Sequence, residues 1–440
     1  MKKERIKSIV LIMLIITNLV LAEKIFVNEK LWLSGYNFFV SARNGNKKNS
    51  VTVAESLTMP EKIIVNTGYQ SSRFIYRRNS EIFSSINSAA SETIKAALSD
   101  SKSAFLISDE DWYAALTAKS VYLSYPTVFS LDSFASFYGI ATPELPISKF
   151  SDIVISENGN VYLGGDSYCK IPVTSQSISS IISAAAEEHS GDESVFNYSF
   201  DLFFDQNSGS ESTILSPMIL IYSEPVTAPT VISHAIVLED GVVNDKPILS
   251  ILPIFGVNKN SVRSYTEADG TLVYVENNGI LKITPDGILT FTATENGIYL
   301  NRGSASSNAL GFIESVNGNI ETSADLCLKS LSFSENTEHF EFDYMLEGYP
   351  VKFDGIPAIS ATVQNGYLTE YSQVIRQFEI LQEPAASPDF IEALDNVIES
   401  YRGSLSEMRI TGMYPAYFDD FSGEEIHINW NIDVDNILAE

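Results

Sequence analysis

A short apolar segment near the N-terminus constrains this chain more than any other feature. Residues 8–22 are almost entirely apolar, and Thr17 and Asn18 form a polar pair inside the run. Four basic residues precede the run, at positions 2, 3, 5 and 7. Basic residues on one flank of an apolar segment keep that flank in the cytoplasm. The sequence therefore predicts a cytoplasmic N-terminus followed by an exported chain.

Two interpretations of this segment compete. A cleaved signal peptide fits the shortness of the run and the small residue Ala22 at its end. A retained membrane helix needs about 20 apolar residues, which requires the flanking lysines to reach towards the interfaces and residues 25–27 to join the span. Thr17 and Asn18 favour the retained helix, because a side-chain amide in lipid seeks a partner helix. The alternative is that Asn18 is merely tolerated near the outer interface. We predict a basic tip and single-pass anchor in residues 1–30.

The charge of the chain excludes one large class of partners. Asp and Glu number 56 against 28 Lys and Arg, which gives a formal net charge of −28. Beyond residue 30 the counts are 53 acidic and 22 basic side chains. A negative field of this size repels phosphate backbones, so we expect no nucleic-acid partner. The same negative charge suits a solvated protein surface outside the cell.

Cysteine and histidine are too few and too scattered to predict a metal site. Cys169 and Cys327 are the two cysteines, and two separate buried thiols are favoured over one bridge. The four histidines stand at positions 189, 234, 339 and 427. The short-spacing histidine motifs of zinc hydrolases are therefore absent. We expect no metal and no other cofactor.

The remainder of the chain mixes helices with antiparallel strands, which predicts a multi-domain α+β fold. At roughly 100–200 residues per domain, its rhythm suggests domains at 31–150, 151–260 and 261–440. Apolar spacings of three and four predict helices near 80–98, from 109 onward, and at 131–138, 177–188, 306–316 and 387–401. Glycine dipeptides predict tight hairpin turns at Asn158-Gly159, Asp269-Gly270, Asn278-Gly279 and Asn365-Gly366.

One motif superficially resembles a catalytic pair. Ser99 and Lys102 have the Ser-x-x-Lys spacing of penicillin-interacting serine enzymes. The partner motifs Ser-Asp-Asn and Lys-Thr-Gly are missing, and a serine-rich chain produces such matches by chance. A helix end that turns into a loop is the favoured interpretation.

The other chemical patterns also have structural explanations. The acids of Asp109–Asp111 are typical of a helix start, where they favour the positive end of the helix dipole. The calcium-like loop 205–211 and the acids of 419–425 are interpreted as turns between strands. Gly164-Gly165-Asp166 lacks the spacing of a phosphate loop, and tyrosines at 113, 367 and 371 fall at core positions. No nucleophile, base and orienting group assemble, so we expect no catalytic residues and no enzyme.

Several stretches of this sequence resemble sequences of the YycH family. They are the anchor segment followed by Lys24-Ile25 and Trp32, the stretches 262–274, 279–283 and 287–291, the stretch 344–351 with 359–371 after it, and the closing strand 426–432. The resemblance covers the anchor and most of residues 260–440.

The resemblance implies a membrane-anchored extracytoplasmic regulator of the YycG sensor histidine kinase of Gram-positive bacteria, which controls cell-wall metabolism. It implies a YycI partner, a C-terminal part similar to PepSY and YycI units, and a transmembrane helix that packs against the kinase, for which the polar pair Thr17 and Asn18 would supply the contact. The location would be the cell membrane, with a single pass and most of the chain extracellular. The alternative is an exported cell-envelope binding module, or a protease-inhibitor-like protein, without catalytic activity.

Overall fold

The structure of the protein is a computed structural model. It describes residues 56–68, 72–173, 178–189, 194–203, 214–239, 242–258, 262–294, 297–300, 305–320, 322–334, 336–400, 408–423 and 425–436. The predicted anchor with Thr17 and Asn18, and the loop 205–211, lie outside these residues. Within them, no helix combines the length and the apolarity that a membrane crossing requires.

A seven-stranded sheet forms the first half of the fold, in the order β2-β1-β4-β5-β6-β7-β3. All six pairings in it are antiparallel. The predicted hairpin at Asn158-Gly159 is confirmed, because β5 and β6 pair on either side of it and Gly159 has a φ of 87°. The sheet continues through the boundary predicted at residue 150, because β4 pairs with β5. The strands are β1 (Lys62–Asn66), β2 (Arg73–Arg77), β3 (Phe105–Ile107), β4 (Ser120–Ser130), β5 (Lys149–Ser156), β6 (Val161–Gly164) and β7 (Tyr168–Ile171).

In the described part of the chain, five helices accompany this sheet, and serine side chains cap the first three. Ser80, Ser108 and Ser130 each accept a hydrogen bond from the backbone N–H three residues further on, which satisfies a donor that a helix start leaves free. The predicted helices near 80–98, 109 and 131–138 are confirmed. The five are α1 (Glu81–Ser99), α2 (Asp109–Thr117), α3 (Leu131–Phe137), α4 (Ser179–Glu188) and α5 (Ser199–Phe203).

The second half is built on a twelve-stranded sheet. Its main path is β13-β14-β15-β16-β22-β21-β19-β20-β24-β26, with β17 on β22 and β18 on β19. The strands that follow the seven-stranded sheet along the chain are accompanied by two helices, α6 (Ala305–Asn317) and α7 (Phe390–Ser400), and by two 3₁₀ turns (Lys246–Ile248 and Leu252–Phe255). These strands are β8 (Phe196–Tyr198), β9 (Leu220–Tyr222), β10 (Thr227–Ala235), β11 (Leu238–Glu239), β12 (Val242–Val243), β13 (Arg263–Thr266), β14 (Leu272–Glu276), β15 (Gly279–Ile283), β16 (Ile288–Ala293), β17 (Ile298–Tyr299), β18 (Asp325–Ser334), β19 (Thr337–Leu346), β20 (Tyr349–Phe353), β21 (Ile359–Gln364), β22 (Tyr367–Val374), β23 (Arg376–Ala386), β24 (Met408–Asp419), β25 (Glu425–Ile426) and β26 (Ile428–Asn436).

One predicted turn in this sheet is right and another is displaced. Asn365 and Gly366 both have positive φ and join β21 to β22, as a two-residue hairpin turn requires. The turn predicted at Asn278-Gly279 lies one residue earlier, because Gly279 already pairs with Glu276 as the first residue of β15. A Cβ on Gly279 would lie 2.5 Å from the Phe291 ring. Glycine is therefore needed there for close packing.

A buried ion pair joins the large sheet to a smaller one made of β23, β10 and β25. Arg376 and Asp419 are each 2% exposed, and the guanidinium binds the carboxylate through Nε at 3.0 Å and Nη2 at 2.6 Å. Ser233 donates a third hydrogen bond to Asp419. The turn between strands that the sequence predicts at 419–425 is confirmed, because β24 ends at Asp419 and β25 begins at Glu425. The sequence did not predict the burial of Asp419. Its carboxylate is buried because it balances a buried guanidinium.

The guanidinium of Arg78 connects the two halves of the fold. Its side chain is buried and donates to the carbonyl oxygens of Met59, Pro60 and Leu326, at 2.6, 2.9 and 2.9 Å. Met59 and Pro60 lead into β1, whereas Leu326 belongs to β18 of the large sheet. A single cation therefore satisfies carbonyls from both halves.

Candidate functional site

A cleft of about 650 Å³ lies where one end of the seven-stranded sheet meets β24. We call it the inter-sheet cleft. Its first wall is the end of the seven-stranded sheet together with α2, and its second wall is formed by residues 216–222 and by residues 409–415 of β24. Its volume lies within the range of about 300–1,000 Å³ that is usual for small-molecule sites. It is therefore large enough to hold a ligand.

One transverse row of the seven-stranded sheet supplies much of the first wall. Residues directly opposite each other on paired strands project to the same face, and the strand registers align one residue from each of six successive strands. All six line the cleft. They are Arg77, Lys62, Ser124, Asp152, Gly164 and Tyr168, in the order β2, β1, β4, β5, β6 and β7.

Asp152 is the central acid of this row. It accepts hydrogen bonds from the hydroxyl of Tyr122 at 2.5 Å and from the hydroxyl of Ser151 at 2.6 Å. Burial raises the pKa of Asp152 above its ordinary value, although both hydroxyls and Lys62 favour the charged form. Burial also raises the pKa of Tyr122 well above its ordinary value, and the neighbouring carboxylate adds to this effect. The pair therefore holds its protons more tightly than the same groups would in water.

The pKa of Asp152 has a consequence that can be measured. A carboxyl whose folded pKa is raised contributes stability below its unfolded pKa of about 3.9, and this contribution is lost as the pH rises through the folded pKa. We therefore expect the free energy of unfolding of the wild type to fall relative to that of Asp152→Asn as the pH rises from about 3.9 towards neutrality. Urea titrations across this range measure the difference. Burial also raises the pKa of Asp343, but this residue is present in both proteins, so its contribution to the free energy of unfolding is the same in both. Parallel stability curves would contradict the prediction.

The β1–β2 end of the cleft is basic but internally balanced. Lys62 Nζ lies 4.0 Å from Glu61 Oε1, while Arg77 donates to the Tyr222 hydroxyl at 3.1 Å and covers the Tyr349 ring with 4.2 Å to its centroid. Burial raises the pKa of Glu61, but the surrounding cations, led by Lys62 and Arg77, more than offset this and leave the pKa below its ordinary value. Glu61 therefore remains charged and compensates these cations.

A second ion pair lies behind Tyr414, which lines the cleft from β24. Lys352 Nζ lies 2.6 Å from Asp343 Oδ2 and 5.4 Å from the Tyr414 ring centroid. Burial lowers the pKa of Lys352, but the contact with Asp343 outweighs it, so the net pKa is above the ordinary value. This cation is thus also compensated.

The α2 end of the cleft is aromatic. Trp112 of α2 stacks on Tyr168 with ring centroids 4.8 Å apart and an interplanar angle of 15°. A Cβ on Gly164 would lie 2.6 Å from the indole, so glycine in the row makes room for this ring. Trp112 is 1% exposed, and its Nε1 has no hydrogen-bond acceptor among the described residues. A buried N–H without an acceptor is rare in native proteins and calls for an explanation.

The residues that the sequence singled out for chemistry do not assemble into a catalytic site. Ser99 ends α1, where its hydroxyl donates to the Lys95 carbonyl at 2.7 Å, and both Ser99 and Lys102 are exposed. Asp109–Asp111 form the first turn of α2, as predicted. No group of three His, Cys, Asp or Glu side chains suited to a metal ion occurs in the described part of the chain.

The two cysteines are buried as separate free thiols, Cys169 in β7 and Cys327 in β18. Burial raises the pKa of each to about 11. A thiol that stays protonated at neutral pH is a poor nucleophile. Both residues therefore act as small core side chains.

Gly164 and Asp166 do lie in the cleft, although the sequence suggested no partner for them. Arg77, Lys62 and Asp152 were not singled out at all. The available signal for Asp152 was an acidic residue in the middle of a strand, directly before the three apolar residues at 153–155, since β5 reads Lys-Phe-Ser-Asp-Ile-Val-Ile-Ser. That signal predicts a buried polar role and gives no indication of its neighbours.

An antiparallel seven-stranded sheet and a mixed twelve-stranded sheet, which meet at a polar cleft and are linked by the buried guanidinium of Arg78, make this an α+β protein. The crystal structure of YycH from Bacillus subtilis is similar to this chain with a TM-score of 0.59 and 12% sequence identity, and the match covers 90% of this chain and 100% of that one. The Bacillus megaterium YpeB C-terminal domain matches with a TM-score of 0.24 and 11% identity, over 44% of this chain and 88% of that one. No protein-family model and no curated protein sequence matches. The resemblance inferred from the sequence is confirmed for the fold.

Proposed function

We propose that this chain is a membrane-anchored extracytoplasmic regulator of a two-component sensor histidine kinase that serves cell-wall homeostasis. The YycH-like fold, which extends over 90% of the chain, is the observation that carries the proposal. The acidic composition beyond residue 30 suits an extracellular surface. In this proposal the chain acts together with a YycI-like partner in the same membrane.

The regulatory contact is proposed to lie within the membrane. The apolar run of residues 8–22 carries the polar pair Thr17 and Asn18. In lipid, amide and hydroxyl side chains form hydrogen bonds between helices, and small contacts of this kind select a partner helix. A ligand or a neighbouring protein then shifts the kinase between signalling states by as much as its affinity differs for those states.

The proposal assigns no catalysis to the extracytoplasmic part. Ser99 and Lys102, the one candidate pair from the sequence, are exposed at a helix end. The inter-sheet cleft favours a second candidate, an exported cell-envelope binding module that works without its anchor. The two candidate functions differ in whether the protein needs its membrane segment in order to act.

An anchor exchange tests this proposal. We expect that replacing residues 6–27 with an unrelated apolar helix of equal length changes kinase output, because the contact that selects the kinase helix is lost. Transcription of a reporter under the cognate response regulator measures this output. Asn18→Leu is expected to change the output in the same direction, whereas Ile15→Leu, its apolar neighbour in the run, is the matched control.

Membrane fractionation must show that every variant is retained at the same level. Kinase output equal to that of the wild type in the exchanged chain would overturn the proposal and favour the binding module. N-terminal sequencing of the mature chain is a separate check, since a chain that begins at Glu23 has lost the segment on which the proposal depends.

A further inference from the structure

Strand β3 (Phe105–Ile107) forms an open edge of the seven-stranded sheet. It is the last strand in the sheet order and pairs with β7 on one side, while no strand in the described ranges pairs with its other side. Helix α2, which follows directly, turns back over the sheet, since Trp112 packs on Gly164 and Tyr168. The outer backbone edge of β3 can therefore pair with the strand of another molecule.

Both faces of this edge are apolar and exposed to solvent. Phe105 and Leu106 project to opposite faces because they are consecutive in a strand, and their exposed fractions are 48% and 56%. β3 carries no charged residue, whereas β2, at the opposite edge of the sheet, begins with Arg73 and ends with Arg77. Charged side chains on an edge strand discourage pairing with another edge. The β3 edge lacks this protection.

The sequence of β3 is complementary to itself in one antiparallel register. A two-fold axis through Leu106 places this residue opposite its own copy. The same axis places Phe105 of each copy opposite Ile107 of the other, so apolar side chains meet at every position of the strand. Registers centred on Phe105 or on Ile107 would instead place Leu106 opposite Ala104 or Ser108. The register centred on Leu106 therefore gives the most extensive apolar contact.

The charges that flank β3 fit the same register. Lys102 precedes the strand, and Asp109, Glu110 and Asp111 follow it, and all four are exposed. Because the paired strands run in opposite directions, Lys102 of each copy approaches the three acids of the other copy. Opposite charges across an interface fix its register and orientation. This charge complementarity identifies a second copy of the same chain as the occupant of the edge.

We propose that two copies of this chain associate through their β3 strands, in the antiparallel register centred on Leu106, and so join two seven-stranded sheets into one. A strand of this length buries much less than the about 1,200 Å² of a stable specific interface, so the dimer is weak in solution. A shared membrane would strengthen it by raising the effective concentration. The pairing needs no kinase, so failure of the anchor exchange leaves it intact, and its own failure leaves the regulatory proposal intact.

Cysteine cross-linking of the full-length chain in detergent tests the register. Every variant carries Cys169→Ala, because Cys169 lies opposite Leu106 on β7 and would compete for a disulfide within the chain. Leu106→Cys places two thiols on directly opposite residues, whose Cα atoms are about 4.5–5.5 Å apart in an antiparallel pair. This separation allows a disulfide. We expect a covalent dimer when copper phenanthroline oxidises the chain at about 100 µM, a concentration suited to a weak dimer.

Phe105→Cys is the matched control. The register separates the two copies of residue 105 diagonally by about 7–8 Å, which is too far for a disulfide. This variant should therefore cross-link at least about tenfold more slowly than Leu106→Cys. A mixture of Phe105→Cys and Ile107→Cys chains should cross-link, because these two positions lie opposite each other. The Cys169→Ala chain without a new cysteine should stay monomeric under oxidation, since Cys327 is buried.

Charge variants test the association without a cross-link. Leu106→Lys brings two like charges opposite each other and should weaken the dimer at least about tenfold in sedimentation equilibrium. Lys102→Glu should also weaken it, and addition of Glu110→Lys to that variant should restore it. Tyr265→Lys is the control, because Tyr265 is 52% exposed on the edge strand β13. It should leave the Kd unchanged. Circular dichroism establishes that each variant is folded.

Three outcomes would overturn the proposal. The first is a wild-type chain that stays monomeric up to about 1 mM, as expected if the β3 edge pairs with a different protein or with another segment of the same chain. The second is equal cross-linking of Leu106→Cys and Phe105→Cys, which would indicate random collisions. The third is a dimer that Leu106→Lys leaves unchanged, which would place the interface elsewhere.

Discussion

Replacing Asp419 with alanine is expected to lower the free energy of unfolding by about 3–5 kcal/mol. The substitution leaves the guanidinium of Arg376 buried, at 2% exposure, without the carboxylate that receives two of its N–H groups. Removing one partner of a buried pair costs much more than the pair itself contributes, because the remaining charge is desolvated and uncompensated. Ser233 also loses its acceptor. Urea unfolding followed by circular dichroism measures the change.

A matched exposed pair provides the control. Lys119 and Glu157 are 3.5 Å apart, but their side chains are 52% and 45% exposed, so Glu157→Ala should cost less than about 1 kcal/mol. The double variant Arg376→Met with Asp419→Leu removes both charges and should recover most of the lost stability. A loss for Asp419→Ala no larger than that for Glu157→Ala would contradict the interpretation of this pair.

Replacing Phe255 with alanine is expected to cost a similar amount, about 3–5 kcal/mol. Phe255 is fully buried, with ring centroids 5.5, 5.2 and 5.4 Å from those of Phe291, Phe312 and Tyr371. The loss combines the transfer of the ring to water with a cavity that its neighbours fill only partly. The same denaturation experiment measures it.

Phe333 on β18 is the matched control for Phe255. It is 46% exposed, so Phe333→Ala removes a ring that is already half in water and should cost less than about 1 kcal/mol. Equal losses for the two variants would show that the cluster around Phe255 is loosely packed, contrary to the geometry.

Local features of this fold could be predicted from the sequence, because their causes lie within a few residues. Ser80 precedes an apolar pattern of helical period, and the helix begins at Glu81. The dipeptide Asn365-Gly366 has the positive φ values that a two-residue turn requires. In both cases the residue type determines the backbone conformation directly.

The cleft could not be predicted because its causes are distant in sequence. Arg77 and Tyr168 lie in one row only because six strands pair in a particular register. The sequence pattern of each strand fixes which side chains share a face but not which strand is its neighbour. The burial of Asp419 could not be predicted for the same reason, since its partner Arg376 is 43 residues away. Gly279 shows a third case, in which packing against Phe291 determines the need for glycine.

The position of Arg78 has a mechanical consequence for a chain that would be held at its N-terminal side. Met59 and Pro60 are fixed to β18 by one guanidinium, with donor–acceptor distances between 2.6 and 2.9 Å. A force that pulls on the polypeptide ahead of Met59 would therefore act on the second half of the fold as well as on β1. Such tension must either displace β18 together with Met59 or break the hydrogen bonds of a buried cation.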